Sequence, residues 1–236
     1  MSTRVLPKLP HVEGHFTAGD AVRDVVIGMS DGLTVPFALA AGISGAIASS
    51  HLVVAAGLAE VAAGSIAMGL GGFLAARGES DHYRRERQRE EDEIVNQRDF
   101  EEREVLEILT RLGLTVDESQ AVLAGLERRP EGWVDFMMRF ELDLAKPDPA
   151  RAWKSALTIG ASYAVGGMIP LAPYFFVSAA RLGLIVSAVV TSVALAIFGF
   201  FKGRMTGARP LRAAMETVLI GGVASAAAFA LARLVA

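Results

Sequence analysis

Five apolar runs, residues 25–48, 52–76, 155–180, 182–201 and 213–235, reach about the 20-residue length that a helix needs to cross a bilayer. At that length and hydrophobicity they read as helices. The expected fold class is therefore all-α: an integral membrane protein with five transmembrane helices. The first run contains an acid and is too long for the core of a cleaved leader, so it is expected to stay as an anchor.

Composition adds one division. Hydrophobic residues make up 52% of the 236, yet residues 78–150 carry 20 of the 26 acidic side chains. The chain thus divides into 1–77, an N-terminal arm with helices one and two; 78–150, a polar helical insertion; and 151–236, helices three to five. Lys and Arg placement sets the orientation. Arg4, Lys8 and Arg23 precede helix one, the insertion is rich in Arg, and Lys202, Arg204, Arg209 and Arg212 lie between helices four and five. The opposite connections hold only Arg181, with Arg233 near the end. N-terminus and insertion are therefore expected in the cytosol. Cysteine is absent, which removes disulfides and thiolate metal sites, and His11, His15, His51 and His82 are too scattered for a zinc cluster.

Two acids interrupt the apolar runs. Asp31 lies in the first and Glu60 in the second. A carboxylate at the centre of such a helix costs about 2.5–3.5 kcal/mol on insertion scales, so a chain that keeps two of them is expected to hold a cation there. Pro36 cannot donate to the Gly32 carbonyl, which would leave a backbone oxygen free one turn from Asp31. Glu60, Gly64 and Met68 fall on one stripe of helix two, amid small residues that let neighbouring backbones approach. Helices three to five read as scaffold, with Trp153 and Lys154 as an interfacial anchor and Glu216 paired locally with Arg212.

The insertion reads as helices: 78–96 extending helix two, Asp99 to Leu112 ending at Gly113, a third capped by Asp117, and a fourth begun by Pro130. Glu90 with Glu93, and Glu101 with Glu104, place paired carboxylates on one helical face, close enough to share a divalent ion. A hairpin at 96–98 would bring all four together. Met137, Met138 and Glu141 add thioether and carboxylate within one turn, a mixed set that suits a transition ion better than Mg²⁺ or Ca²⁺. Glu-rich helices interleaved with Arg are also commonly no more than solvated faces. Glu79-x-x-His82 has the spacing of a di-iron ligand pair, but such centres need two of them.

The run Asp31-Gly-Leu-Thr-Val-Pro-Phe-Ala-Leu-Ala-Ala-Gly42, the stripe Glu60 to Gly72, the acidic insertion and Phe136-Met-Met-Arg-Phe-Glu141 resemble the vacuolar iron transporter family, from about His15 to the end. The resemblance implies a five-helix homodimer that exchanges cytosolic Fe²⁺, and often Mn²⁺, for protons along the interface between the first two helices of each protomer. Carried over, it places translocation on Asp31, Glu60 and Met68. It places cytosolic metal binding on Glu90, Glu93, Glu101, Glu104, Met137, Met138 and Glu141.

The expected function is proton-coupled export of divalent transition metal from the cytosol, with Fe²⁺ as the bound and transported ion and Mn²⁺, Co²⁺, Ni²⁺ or Zn²⁺ as further candidates. No prosthetic group and no enzymatic activity are expected, and no Walker-type phosphate loop is visible. The expected partners are metal ions, protons, the lipid bilayer and a second copy of the chain, and no nucleic acid. The membrane would be vacuolar in a plant or fungus and the plasma membrane in a bacterium. The rival readings are a membrane-anchored di-iron oxidase and a metal-binding sensor.

Overall fold

The computed structural model describes residues 18–46 and 48–235. The N-terminal arm, with Arg4, Lys8, His11 and His15, lies outside the described residues. Eight helices follow in order: α1 Ala18–Ala46, α2 Ser50–Asn96, α3 Arg98–Arg111, α4 Val116–Glu127, α5 Pro130–Phe140, α6 Arg151–Phe176, α7 Ala180–Met205 and α8 Pro210–Val235. Among the described residues there is no strand, only an isolated bridge between Ser49 and Ala179. Five helices (α1, α2, α6, α7 and α8) are long and apolar enough to cross a membrane.

The described residues form two compact units, those up to 72 together with those from 154 onward, and residues 73–153. Helix α2 has 47 residues, about 70 Å at 1.5 Å each, and contributes to both.

The apolar unit packs through small residues. Helix α7 buries Gly183, Ser187, Thr191, Leu195, Gly199 and Gly203, a stripe repeating every four residues, and α8 buries Ala213, Thr217, Gly221 and Ser225 in the same way. A methyl added to Gly199 would lie 2.7 Å from the Thr217 hydroxyl and 2.8 Å from the Ala213 carbonyl oxygen, so the two helices approach closely there. The third apolar run ends earlier than the 155–180 expected: α6 stops at Phe176 and α7 begins at Ala180. The chain between them bonds with the α1–α2 connection, Ala180 N–H to the Ala48 carbonyl at 3.1 Å and Ser50 N–H to that of Ser178 at 3.4 Å. Those backbone groups therefore find partners outside a helix.

The polar unit has its own core of Tyr83 and Ile94 from α2, Val105, Ile108 and Leu109 from α3, Leu123 from α4, and Trp133, Val134, Met137 and Met138 from α5. Gln97, outside helical backbone at φ −131°, separates α2 from α3. Helix α3 ends as expected at Gly113, whose φ of +96° closes the turn while Leu114 N–H reaches the Leu109 carbonyl. The cap of α4 differs from expectation. Thr115, not Asp117, caps it: the Thr115 hydroxyl accepts from Glu118 N–H, and the Glu118 carboxylate accepts from Thr115 N–H at 2.9 Å. This reciprocal pair satisfies two donors at once, which Asp117 inside the first turn cannot do.

Candidate metal centre

The polar unit gathers three carboxylates. Ligand oxygens of Glu90 (α2), Glu101 (first turn of α3) and Glu141 (C-cap of α5) all lie within 4.8 Å of one another. Glu90 and Glu101 are only 1% and 2% exposed, whereas Glu141 is open to solvent at the rim. One oxygen of each buried carboxylate, Oε2, is buried without a hydrogen-bond partner among the described residues. Two buried, under-partnered carboxylates facing a third require either protons or a cation. Burial, and then the charge of Glu141, pushes Glu90 up to about 7. Burial, and then the charge of Glu104, does the same for Glu101. Glu104 and Glu141 are also raised, by burial first.

Glu93 and Glu104 flank this trio. Arg89 opposes the accumulated charge, reaching Glu86 at 2.7 Å, Glu93 at 3.4 Å and Glu90 at 3.7 Å. Met137 and Met138 are fully buried in the core one turn before Glu141. A hard, oxygen-rich trio with thioethers on the adjoining helix fits a divalent transition ion. His82 stands exposed beside Glu86, 3.6 Å away, and is not among the gathered ligands.

The apolar unit holds the second set. Asp31, Glu60 and Met68 are each half-buried. The Tyr163 hydroxyl on α6 donates to Glu60 Oε1, while Glu60 Oε2 is buried without a partner among the described residues. Gly32, next to Asp31 on α1, packs against the Tyr163 backbone, so α6 runs beside both acid-bearing helices. Two glycines make this possible. A methyl on Gly64 would lie 2.5 Å from the Tyr163 hydroxyl oxygen, and one on Gly32 would strike the Tyr163 carbonyl. Helix α1 continues through Pro36, which is buried.

Helix α6, expected to be scaffold, thus supplies a site residue. Its signal was legible: a phenol in an apolar span needs a partner, and the spans contain two, Tyr163 on Glu60 and Tyr174 on Ser44 at 3.1 Å. Asp24 is a further buried acid that the apolar runs do not mark. It is 1% exposed, one residue outside the first apolar run, with the Arg23 guanidinium 3.9 Å away.

Helices apolar enough for a bilayer, with half-buried acids inside them and a carboxylate trio in a separate polar unit, define a multi-helix membrane protein carrying cation-type sites. The chain belongs to the VIT family, whose model matches residues 22–233. It is 58% identical over 225 residues to Vacuolar iron transporter 1 of Oryza sativa subsp. japonica, covering 95% of this chain and 89% of that one. It is 57% identical to Vacuolar iron transporter 1 of Arabidopsis thaliana over 225 residues, 95% of this chain and 90% of that one. Protein CCC1 of Saccharomyces cerevisiae is 39% identical over 231 residues, 94% of this chain and 71% of that one.

Proposed function

We propose that this protein carries Fe²⁺, with Mn²⁺ as a second substrate, out of the cytosol across a membrane in exchange for protons. The observation that carries the reading is Glu60: an acid in an apolar helix with one oxygen held by Tyr163 and the other buried without a partner among the described residues. The names of the relatives, vacuolar iron transporters among them, support iron as the cargo and a vacuolar membrane as the setting.

In this reading the five apolar helices span the bilayer, and the N-terminus and the polar unit lie in the cytosol. Two copies form the working dimer. Glu90, Glu101 and Glu141, with Glu93, Glu104, Met137 and Met138 around them, collect cations from the cytosol and raise their local concentration. Asp31 and Met68 receive an ion stripped of part of its water, and Glu60 passes it on. A carboxylate must be deprotonated to hold metal, while an apolar surrounding favours its protonated form. Each site therefore holds either metal or protons, and displacement of one by the other is the exchange. Tyr163 keeps Glu60 oriented in both states.

The test is metal uptake into vesicles of purified protein under an opposing pH gradient. Asp31→Ala and Glu60→Ala should each abolish flux with the protein folded. Replacement of Glu90, Glu93, Glu101 and Glu104 should weaken loading at low metal and leave flux at saturating metal. Parent-like flux in the two intramembrane variants would refute the assignment.

A further inference from the structure

The polar unit has a second feature that metal handling does not use. A cavity of about 510 Å³ is lined by eleven residues, among them Phe73, Arg77, Arg84, Arg87, Lys146 and Trp153. Four of these side chains are cationic and none is acidic, in a segment that carries 20 of the chain's 26 carboxylates. The cavity wall is thus cationic, with the partner acids Asp81, Glu91 and Asp135 outside its lining.

The cations are positioned rather than consumed. Asp81 holds Arg84 and, at 3.8 Å, Arg77; Asp135 and, at 3.1 Å, Glu91 hold Arg87. A guanidinium has five N–H donors, so each arginine retains donors for a further acceptor. Lys146 forms no ion pair among the described residues and is exposed. An anion placed here would meet Lys146 together with three pre-oriented forks, a geometry suited to phosphate.

The remaining wall tells where that phosphate comes from. Phe73 and Trp153 pack with ring centroids 4.9 Å apart and planes tilted by 58°, and Trp153 is 65% exposed. They are the first and last residues of the polar unit, the positions at which its chain continues into the apolar spans of α2 and α6. Exposed aromatics at the end of a span sit at headgroup level, and basic clusters next to a span recognise anionic lipids.

We propose that this cavity binds a phosphate group, that of an anionic lipid headgroup, with Arg77, Arg84, Arg87 and Lys146 as its ligands and Phe73 and Trp153 against the lipid. The site is independent of the transport reading and would stand if that reading failed.

The full chain in nanodiscs tests it. Trp153 quenching by brominated phosphatidylserine, phosphatidylinositol phosphate or phosphatidylcholine is measured in 0.15 M salt, with inorganic phosphate and soluble inositol phosphate as competitors. The expected result is at least tenfold preference for the anionic lipids and competition by the soluble inositol phosphate. Each cation near an anionic surface is worth about fivefold, so Arg84→Gln with Lys146→Gln should abolish a tenfold preference. A Trp133 emission unchanged in the double variant shows that the core still folds. Equal quenching by phosphatidylcholine, or a preference untouched by the double variant, would overturn the proposal. Saturation by inorganic phosphate below about millimolar without lipid preference would also overturn it, marking a site for soluble phosphate.

Discussion

The cation-free protein should lose stability as pH rises through neutrality, because Glu90 and Glu101 must then ionise side by side. Both are pushed from an ordinary 4.5 up to about 7, by burial first and neighbouring carboxylates second. The folded state binds these protons more tightly than the unfolded chain does. The stabilisation is therefore complete below about pH 4.5 and disappears as pH climbs through about 7. At about 1.4 kcal/mol for each tenfold change in proton affinity, one such group accounts for about 3 kcal/mol. The two feel the same field, so the pair amounts to less than twice that. A unit of this size shifts its melting midpoint by about 4–8 °C per kcal/mol, so a fall of about 10 °C or more is expected between pH 5.5 and 8. Both tryptophans, Trp133 and Trp153, belong to the polar unit, so tryptophan fluorescence during thermal melting in detergent reports on it selectively. Glu90→Gln should flatten the pH slope and raise the midpoint at pH 8. Mn²⁺ at a hundred times its dissociation constant should restore about 2.7 kcal/mol to the parent and little to the variant. A parent midpoint that holds or rises from pH 5.5 to 8 without metal would refute the reasoning.

Other outcomes follow from single contacts. Tyr163→Phe removes the phenol's hydrogen bond to Glu60 and should lower metal flux about tenfold with the fold retained, read by vesicle uptake beside circular dichroism. Gly64→Ala drives a methyl to 2.5 Å from the Tyr163 hydroxyl and should cost about 1–3 kcal/mol, seen as earlier thermal unfolding in detergent. Thr115→Ala removes the α4 cap and should cost about 1 kcal/mol in the same tryptophan melt, with metal affinity unchanged.

What could be read from the chain alone divides along physical lines. Apolar runs announce α1, α2, α6, α7 and α8 because lipid leaves the backbone no alternative to internal bonding. Glu-x-x-Glu spacing flagged Glu90 and Glu101, since helical periodicity is local. Which member of each pair turns inward is not local: Glu90 and Glu101 are buried, while Glu93 remains partly exposed beside Arg89. Glu141 joins them only through the fold of α5 onto α2 and α3. The α4 cap is ambiguous in the sequence, because Thr115 has Glu118 and Asp117 has Gln120 three residues on; the fold selects Thr115. Tyr163 stands 103 residues from Glu60, and no spacing rule reaches that far. The demand of a buried phenol for a partner was the available clue.

The central claim is that Asp31 and Glu60 hold metal and protons in alternation. Vesicles containing a pH-sensitive dye report it directly, with purified protein, a Mn²⁺ gradient and no other permeant ion. The account predicts proton movement opposite to the metal, starting with it and disappearing in Glu60→Gln. Metal flux in the parent with no accompanying proton movement, or coupled flux surviving in Glu60→Gln, would contradict it.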